Sequence, residues 1–308
     1  MGDPVRDLRA DSLSGASELI VRGARVLREH AEGSPARTPK TFVASLAKVG
    51  LMVADAQPAM APFIHLADAA LKAADAARDL PSARKRAVEA IDLFVKSAGQ
   101  DRTSTARAAA RLIRKDSVVL VYSRSSTVEA ALLAAAEDGR HFTVFCPEAR
   151  PGMEGRILAR KLAEAGIAVT ACVDAAAFSV FPSADLVLLG ADALVPVGLI
   201  NKIGTSGLAL LASGAGVPVY CAAGRLKMLP SASLIDPHRE GEHLADVWGE
   251  SPKGVRVMDR YYDLTRLDAV KGFLVEDAIL TPDELRAKLR SIHLHPSLQK
   301  GAKKKKKR

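Results

Sequence analysis

The sequence predicts an α/β protein in which an N-terminal helical domain precedes a Rossmann-like domain with a mostly parallel sheet. Two changes of pattern predict it. Between residue 12 and about residue 115 the chain is alanine-rich, with apolar residues at the three- and four-residue spacing of an amphipathic helix. After Lys115, short aliphatic and β-branched runs recur roughly every 20 to 30 residues, each followed by an alanine-rich amphipathic stretch. A chain of 308 residues with 48% hydrophobic content can bury one large or two modest cores.

In the first half, "ASELIVRGARVLREHA" and "ARKRAVEAIDLFVKSA" carry the helical period, and "GSPARTPK", "DAQPAMAP" and "GQDRTST" mark the boundaries. In the last of these, Asp101, Thr103 and Ser104 are candidate caps for a helix reaching about Arg114. The strands follow in order: "SVVLVYS", "HFTVFC", "AVTACVD", "DLVLLGAD" and "VPVYCAA". Continuous apolar strands linked by long crossovers imply a parallel sheet covered on both faces. The expected division is residues 1–115, helical; 116–292, Rossmann-like and ligand-binding; and 293–308, a disordered basic tail.

Charge says little about the body of the protein. The formal net charge is +9, but the six cations of 303–308 leave only +3 for the rest. That tail attracts phosphate without specificity, so nucleic acid is suggested only weakly, and through the tail alone. With 4% aromatics, the interleaved rings of a single-strand binder are missing. Cys146, Cys172 and Cys221 sit in or at the end of apolar runs without a CxxC pair and read as reduced core thiols. The seven histidines show no ligand spacing, so neither a metal nor a cofactor is expected. No apolar leader or membrane-length run is present, and a cytoplasmic protein is expected.

Ligands of doubly wound folds bind beyond the carboxyl ends of the strands. Ser123, Glu148, Asp174, Asp192 and Gly224 fall there. Asp192 is the strongest single candidate, because a carboxylate at an enclosed strand end can have its pKa raised and exchange protons with a substrate. An Asp that merely caps its loop is an equal alternative. Asn201, Lys202, Gly204 and Thr205 read as a turn entering the helix "TSGLALLASG", with backbone N–H groups and Lys202 for a phosphate, although an ordinary helix start is the stronger alternative on these residues alone. Ser123 to Ser126 form a similar turn with Arg124, although Ser125 or Ser126 also fits an N-cap. Arg150 could hold a substrate oxygen or pair with Glu148, and Lys227 follows the fifth strand. No G-x-G-x-x-G follows the first strand, which argues against a dinucleotide.

Taken in order, "VRGA", "VYSRSS", "EARPGMEGR", "GADAL" with "INKIGT", and "YYDLTRLDAVKGFLVEDAILTPDEL" resemble the translation initiation factor 2B alpha/beta/delta family. That superfamily includes ribose 1,5-bisphosphate isomerase and methylthioribose-1-phosphate isomerase. The resemblance implies a pocket for a phosphorylated small molecule, pairing into a homodimer through the Rossmann-like domain, and related subunits as further partners. It implies proton transfer by a Cys after the first strand and an Asp after the fourth. By resemblance Asp192 is the catalytic Asp; Asn201, Lys202, Lys227 and the Arg22-Gly23 turn contact substrate.

The pattern breaks at the thiol, where Ser123 occupies the expected Cys position. A serine hydroxyl stays protonated where a thiol can ionise. Gly224 stands where the isomerases carry a Glu in "AAExxK", and "RTPKTFVAS" lacks a familiar Arg-Pro-Thr. These departures resemble the superfamily's regulatory subunits. The expectation is an initiation-factor-2B-like protein that binds a sugar phosphate or nucleotide without converting it; the alternative is a divergent aldose-ketose sugar-phosphate isomerase.

Overall fold

Five helices form from the alanine-rich half: α1 (Pro4–Ala10), α2 (Ala16–Gly33), α3 (Pro39–Ala56), α4 (Ala61–Asp75) and α5 (Leu80–Ala110). The computed structural model describes residues 4–11, 14–237 and 244–299; the basic run 303–308, His238 and His243 lie outside them. Each of α3, α4 and α5 begins with Pro in its first turn, where a missing N–H is not felt. The Thr38 and Asp79 side chains accept the N–H groups of Thr41 and Ser82. Along α2 the buried positions Leu19, Gly23, Leu27 and Ala31 recur at four-residue spacing and face Leu46, Val53 and Phe63 in one core.

The break expected at "GQDRTST" is absent. Helix α5 runs unbroken for 31 residues, about 46 Å, from the bundle core at Ala83, Ala87 and Ile91 to the sheet core at Ala106, Ala109 and Ala110. Cap-forming residues are tolerated within it because each finds another partner. Thr103 and Ser104 hydroxyls donate back to the carbonyls of Gly99 and Asp101, and Thr105 accepts the N–H of Glu276.

The main sheet contains β1 (Val118–Val121), β2 (Thr143–Pro147), β3 (Ala168–Cys172), β4 (Leu186–Leu189), β7 (Val219–Ala222), β9 (Gly272–Val275) and β10 (Ala278–Leu280). Their spatial order is β10-β9-β7-β4-β1-β2-β3, all parallel except β10. Helices α6 (Ser126–Glu137) and α7 (Glu154–Glu164) cover one face with the end of α5; α8 (Thr205–Gly214) and α10 (Pro282–Arg290) cover the other. Side chains alternate accordingly: Val119 and Val121 face the first layer and Leu120 the second. A short helix, α9 (Leu244–Trp248), follows residue 243 and ends at Trp248, which is exposed.

Between bundle and main sheet lies a second sheet that the strand pattern does not announce. It pairs β5 (Ala193–Val195), β6 (Gly198–Lys202) and β8 (Tyr262–Thr265), all antiparallel. Ala193, Val195 and Ile200 join the bundle core, whereas Leu194 and Leu199 join the core of the main sheet. Asn201 and Lys202 therefore close a strand rather than a turn. The segment expected to begin a tail at residue 293 is packed instead: Leu294 and Leu298 are buried in the bundle core. Among the described residues no helix is long and apolar enough to cross a membrane.

Candidate active site

The chain leaves β1 toward β2 on one side and returns to β4 on the other. A crevice forms at such a switch of strand order. Here it opens above the carboxyl ends of β1 and β4, and residues 123–127, Asp192, Asn201, Lys202 and Lys227 all line it. The second sheet and the start of the bundle close its other walls, through Tyr261 and Tyr262 and through Gly15 and Met60.

Asp192 ends the segment after β4 and is clamped by its backbone. Its N–H donates to the Ile200 carbonyl at 2.8 Å, and its own carbonyl accepts Ala61 N–H at the start of α4. Burial raises the carboxyl's pKa above the ordinary carboxylate value, against the pull of Lys227 and Lys202. Lys227 lies in the turn Arg225–Lys227 after β7; burial lowers its pKa, while Asp192, Cys221 and Asp101 favour its charged form. Acid and ammonium thus share one low-dielectric wall, each moved toward neutrality by the same cause.

Lys202 is 4% exposed. Its Nζ lies 2.6 Å from Glu154 Oε1 and 4.0 Å from the centre of the Tyr261 ring. The other oxygen, Glu154 Oε2, is buried with no hydrogen-bond partner among the described residues. Glu154, at the start of α7, is a charged residue of this cleft that sequence reading missed, as are Arg9, Asp11 and Asp236 on its lining. Glu154 stands in the same "EARPGMEGR" stretch as Glu148 and Arg150, but only the fold brings it to Lys202, 48 positions away.

Ser123 lies beyond β1 in the left-handed region, with φ 63°, and is buried at the cleft wall. Non-glycine residues are uncommon in that region and concentrate at functional sites. Ser125 is the N-cap of α6 and accepts Val128 N–H. Arg124 pairs with Glu129 at 3.6 Å. The phosphate turn expected at Gly204 is already filled: the Asp263 carboxylate accepts the N–H groups of Gly204 and Ser206 at 2.9 and 3.0 Å. Asn201 donates its side-chain amide to Thr205 Oγ1, whose hydroxyl donates to the Lys202 carbonyl, so this polar pair braces the strand-to-helix corner. Gly204 itself has φ 98°, and a Cβ there would lie 2.6 Å from the Tyr122 hydroxyl.

Three other expected contacts do not reach the cleft. Arg22 and Gly23 sit within α2 rather than in a turn; Arg22 pairs with Asp11 at the cleft mouth, and Gly23 lies where a Cβ would press the Phe63 ring. Arg150 donates to the Val247 carbonyl, and Glu148 takes Arg156 as its partner at 2.6 Å. No cysteine lines the cleft. Burial pushes the Cys146 thiol up to about 12 and raises Cys221 further, while Cys172 on the edge strand β3 is only half-buried.

Residues 12–282 match the model of the initiation factor 2 subunit family. The chain belongs to that family. It is 28% identical over 300 residues to the ribose 1,5-bisphosphate isomerase of Haloterrigena turkmenica, covering 93% of this chain and 91% of the relative. It is 32% identical over 224 residues to the enzyme of the same name from Haloferax volcanii, covering 71% and 68%. Among solved structures, the Pyrococcus horikoshii translation initiation factor eIF-2B superposes with a TM-score of 0.78 at 25% identity, over 91% of this chain and 96% of that one.

Proposed function

We propose that this family member is an aldose-ketose isomerase acting on a pentose 1-phosphate of the ribose 1,5-bisphosphate type. The observation that carries the reading is Asp192: a buried carboxyl with raised pKa at the switch point, with Lys227 and Lys202 acting on it. Ring opening and isomerisation move hydrogen from C2 to C1 and from the C2 hydroxyl to the ring oxygen, with no net gain or loss. A carboxyl with a raised pKa can give a proton to the ring oxygen and, once ionised, take one from the C2 hydroxyl. The first turn of α6, through Ser126 and Thr127, and Lys227 supply positive potential for phosphate in place of the Gly204 turn. The relatives that span nearly the whole chain support the isomerase over the purely regulatory reading.

Ser123 favours a second reading, in which the cleft binds the sugar phosphate without turnover. Incubation with ribose 1,5-bisphosphate, followed by NMR, separates the two, with thermal unfolding run alongside. Turnover is expected, with kcat of Asp192→Asn lower by about 100- to 10,000-fold while the ligand-induced rise in Tm is kept. A thiol placed by Ser123→Cys is expected to raise kcat. Stabilisation without product in either protein selects the binding reading; neither stabilisation nor product rejects both.

A further inference from the structure

The absent side chain at Gly224 leads to an acid on another element. Asp101 lies deep within α5, 7% exposed, where an aspartate is unfavourable both as a helix-interior residue and as a buried charge. Its Oδ1 accepts the N–H of Arg225 at 3.3 Å, and the carboxylate also takes the N–H of Leu226. Those are the first two amides of the turn that ends in Lys227. A Cβ at Gly224, where φ is 31°, would meet Asp101 Cγ at 3.0 Å and Oδ2 closer still, inside van der Waals contact. A side chain at 224 and this carboxylate exclude each other. Two positions more than a hundred residues apart are thus matched in shape as well as in hydrogen bonding.

We propose that Asp101 is a positioning residue: its carboxyl group, supplied by α5 through the gap left at Gly224, holds the turn Arg225–Lys227 and places a second acid, after Asp192, within electrostatic reach of Lys227. The role rests on the isomerase reading for its catalytic consequence, and on the hydrogen-bonded turn and the acid's charge for its effect on Lys227. The charged and titratable groups facing Lys227 are Asp192 beyond β4, Cys221 on β7 and Asp101 on α5. Those facing Asp101 include Arg225, which pairs with Glu276 at 3.4 Å, and Glu276 itself. Two acids on separate elements therefore act on one lysine. The bundle reaches the catalytic wall through this contact, since the same helix also builds the core of the helical half.

Asp101→Asn keeps an oxygen for the Arg225 amide and removes the charge; Gly224→Ala keeps the charge and displaces it. The first test is the NMR titration of the Lys227 side chain in the ligand-free protein labelled with 13C at lysine Cε, the signal being assigned with Lys227→Arg. The expected result is a titration midpoint at lower pH in Asp101→Asn, because an acid that favours the charged form of Lys227 is gone. In the same variant the basic limb of the kcat profile moves to lower pH. In Gly224→Ala, kcat falls by up to about 100-fold, as for a group misplaced by about 1 Å. An unmoved Lys227 midpoint in a folded Asp101→Asn overturns the proposal. If wild type shows no turnover, only the isomerase reading fails, because the titration needs neither substrate nor activity.

Discussion

Replacing Glu154 by Gln tests whether the cleft is built around a buried ion pair. The Lys202 and Glu154 side chains are 5% and 13% exposed, with 2.6 Å between Nζ and Oε1. At that burial, removing one partner leaves a charge that water cannot reach, at a cost of about 3–5 kcal/mol. The Tyr261 face, 4.0 Å from Nζ, still attracts the ammonium in the variant and brings the expectation to the lower end, about 3 kcal/mol. With about 2.1 cal/mol/K of unfolding entropy per residue, 308 residues give roughly 0.65 kcal/mol/K, so Tm should fall by about 5 °C. Lys202→Met is expected to cost at least as much, because Glu154 Oε2 already lacks a partner and Oε1 would join it. The double variant should lie close to wild type, since the uncompensated charges leave together. Urea unfolding of all four proteins gives the coupling energy directly. A coupling below about 0.5 kcal/mol, the range of solvent-exposed pairs, would refute the argument and make Lys202 an independent cation held by the tyrosines.

Two further outcomes follow from the same geometry. Because burial raises Asp192 above its ordinary 3.8, the folded state holds that proton more tightly than the unfolded chain. Its stabilising contribution is complete below pH 3.8 and is lost as pH rises through the folded value. The stability of Asp192→Asn relative to wild type should therefore increase with pH above about 4, and denaturation midpoints that stay parallel across the acid range would contradict the raised pKa. In Gly23→Ala the new methyl would lie 2.6 Å from Phe63 Cε1 and 3.0 Å from Val53 Cγ1, an overpacking worth about 1–3 kcal/mol. Calorimetry should show that loss with ligand affinity unchanged; the reverse outcome would return Gly23 to the binding site.

What the sequence alone determined is local. Apolar period changes at Lys115 because helix and strand place side chains by different rules, and neighbouring residues suffice to display either rule. Asp192 was legible for the same reason: it ends an apolar run, and strand ends are where this architecture opens to ligands. Tertiary structure decided which polar groups were left over for a ligand. Asp101, Thr103 and Ser104 look like caps because such side chains bond their own backbone when nothing else is near; in the fold, Asp101 is taken up by the Arg225 turn. The amides before α8 look free until Asp263, nearly sixty residues on, reaches them. Likewise the β5–β6 hairpin hides as a loop, since its two faces serve different cores and its partner β8 lies beyond α8 and β7. Donors and acceptors are advertised by sequence, but which of them remain unspent is settled only when distant segments meet and satisfy one another first.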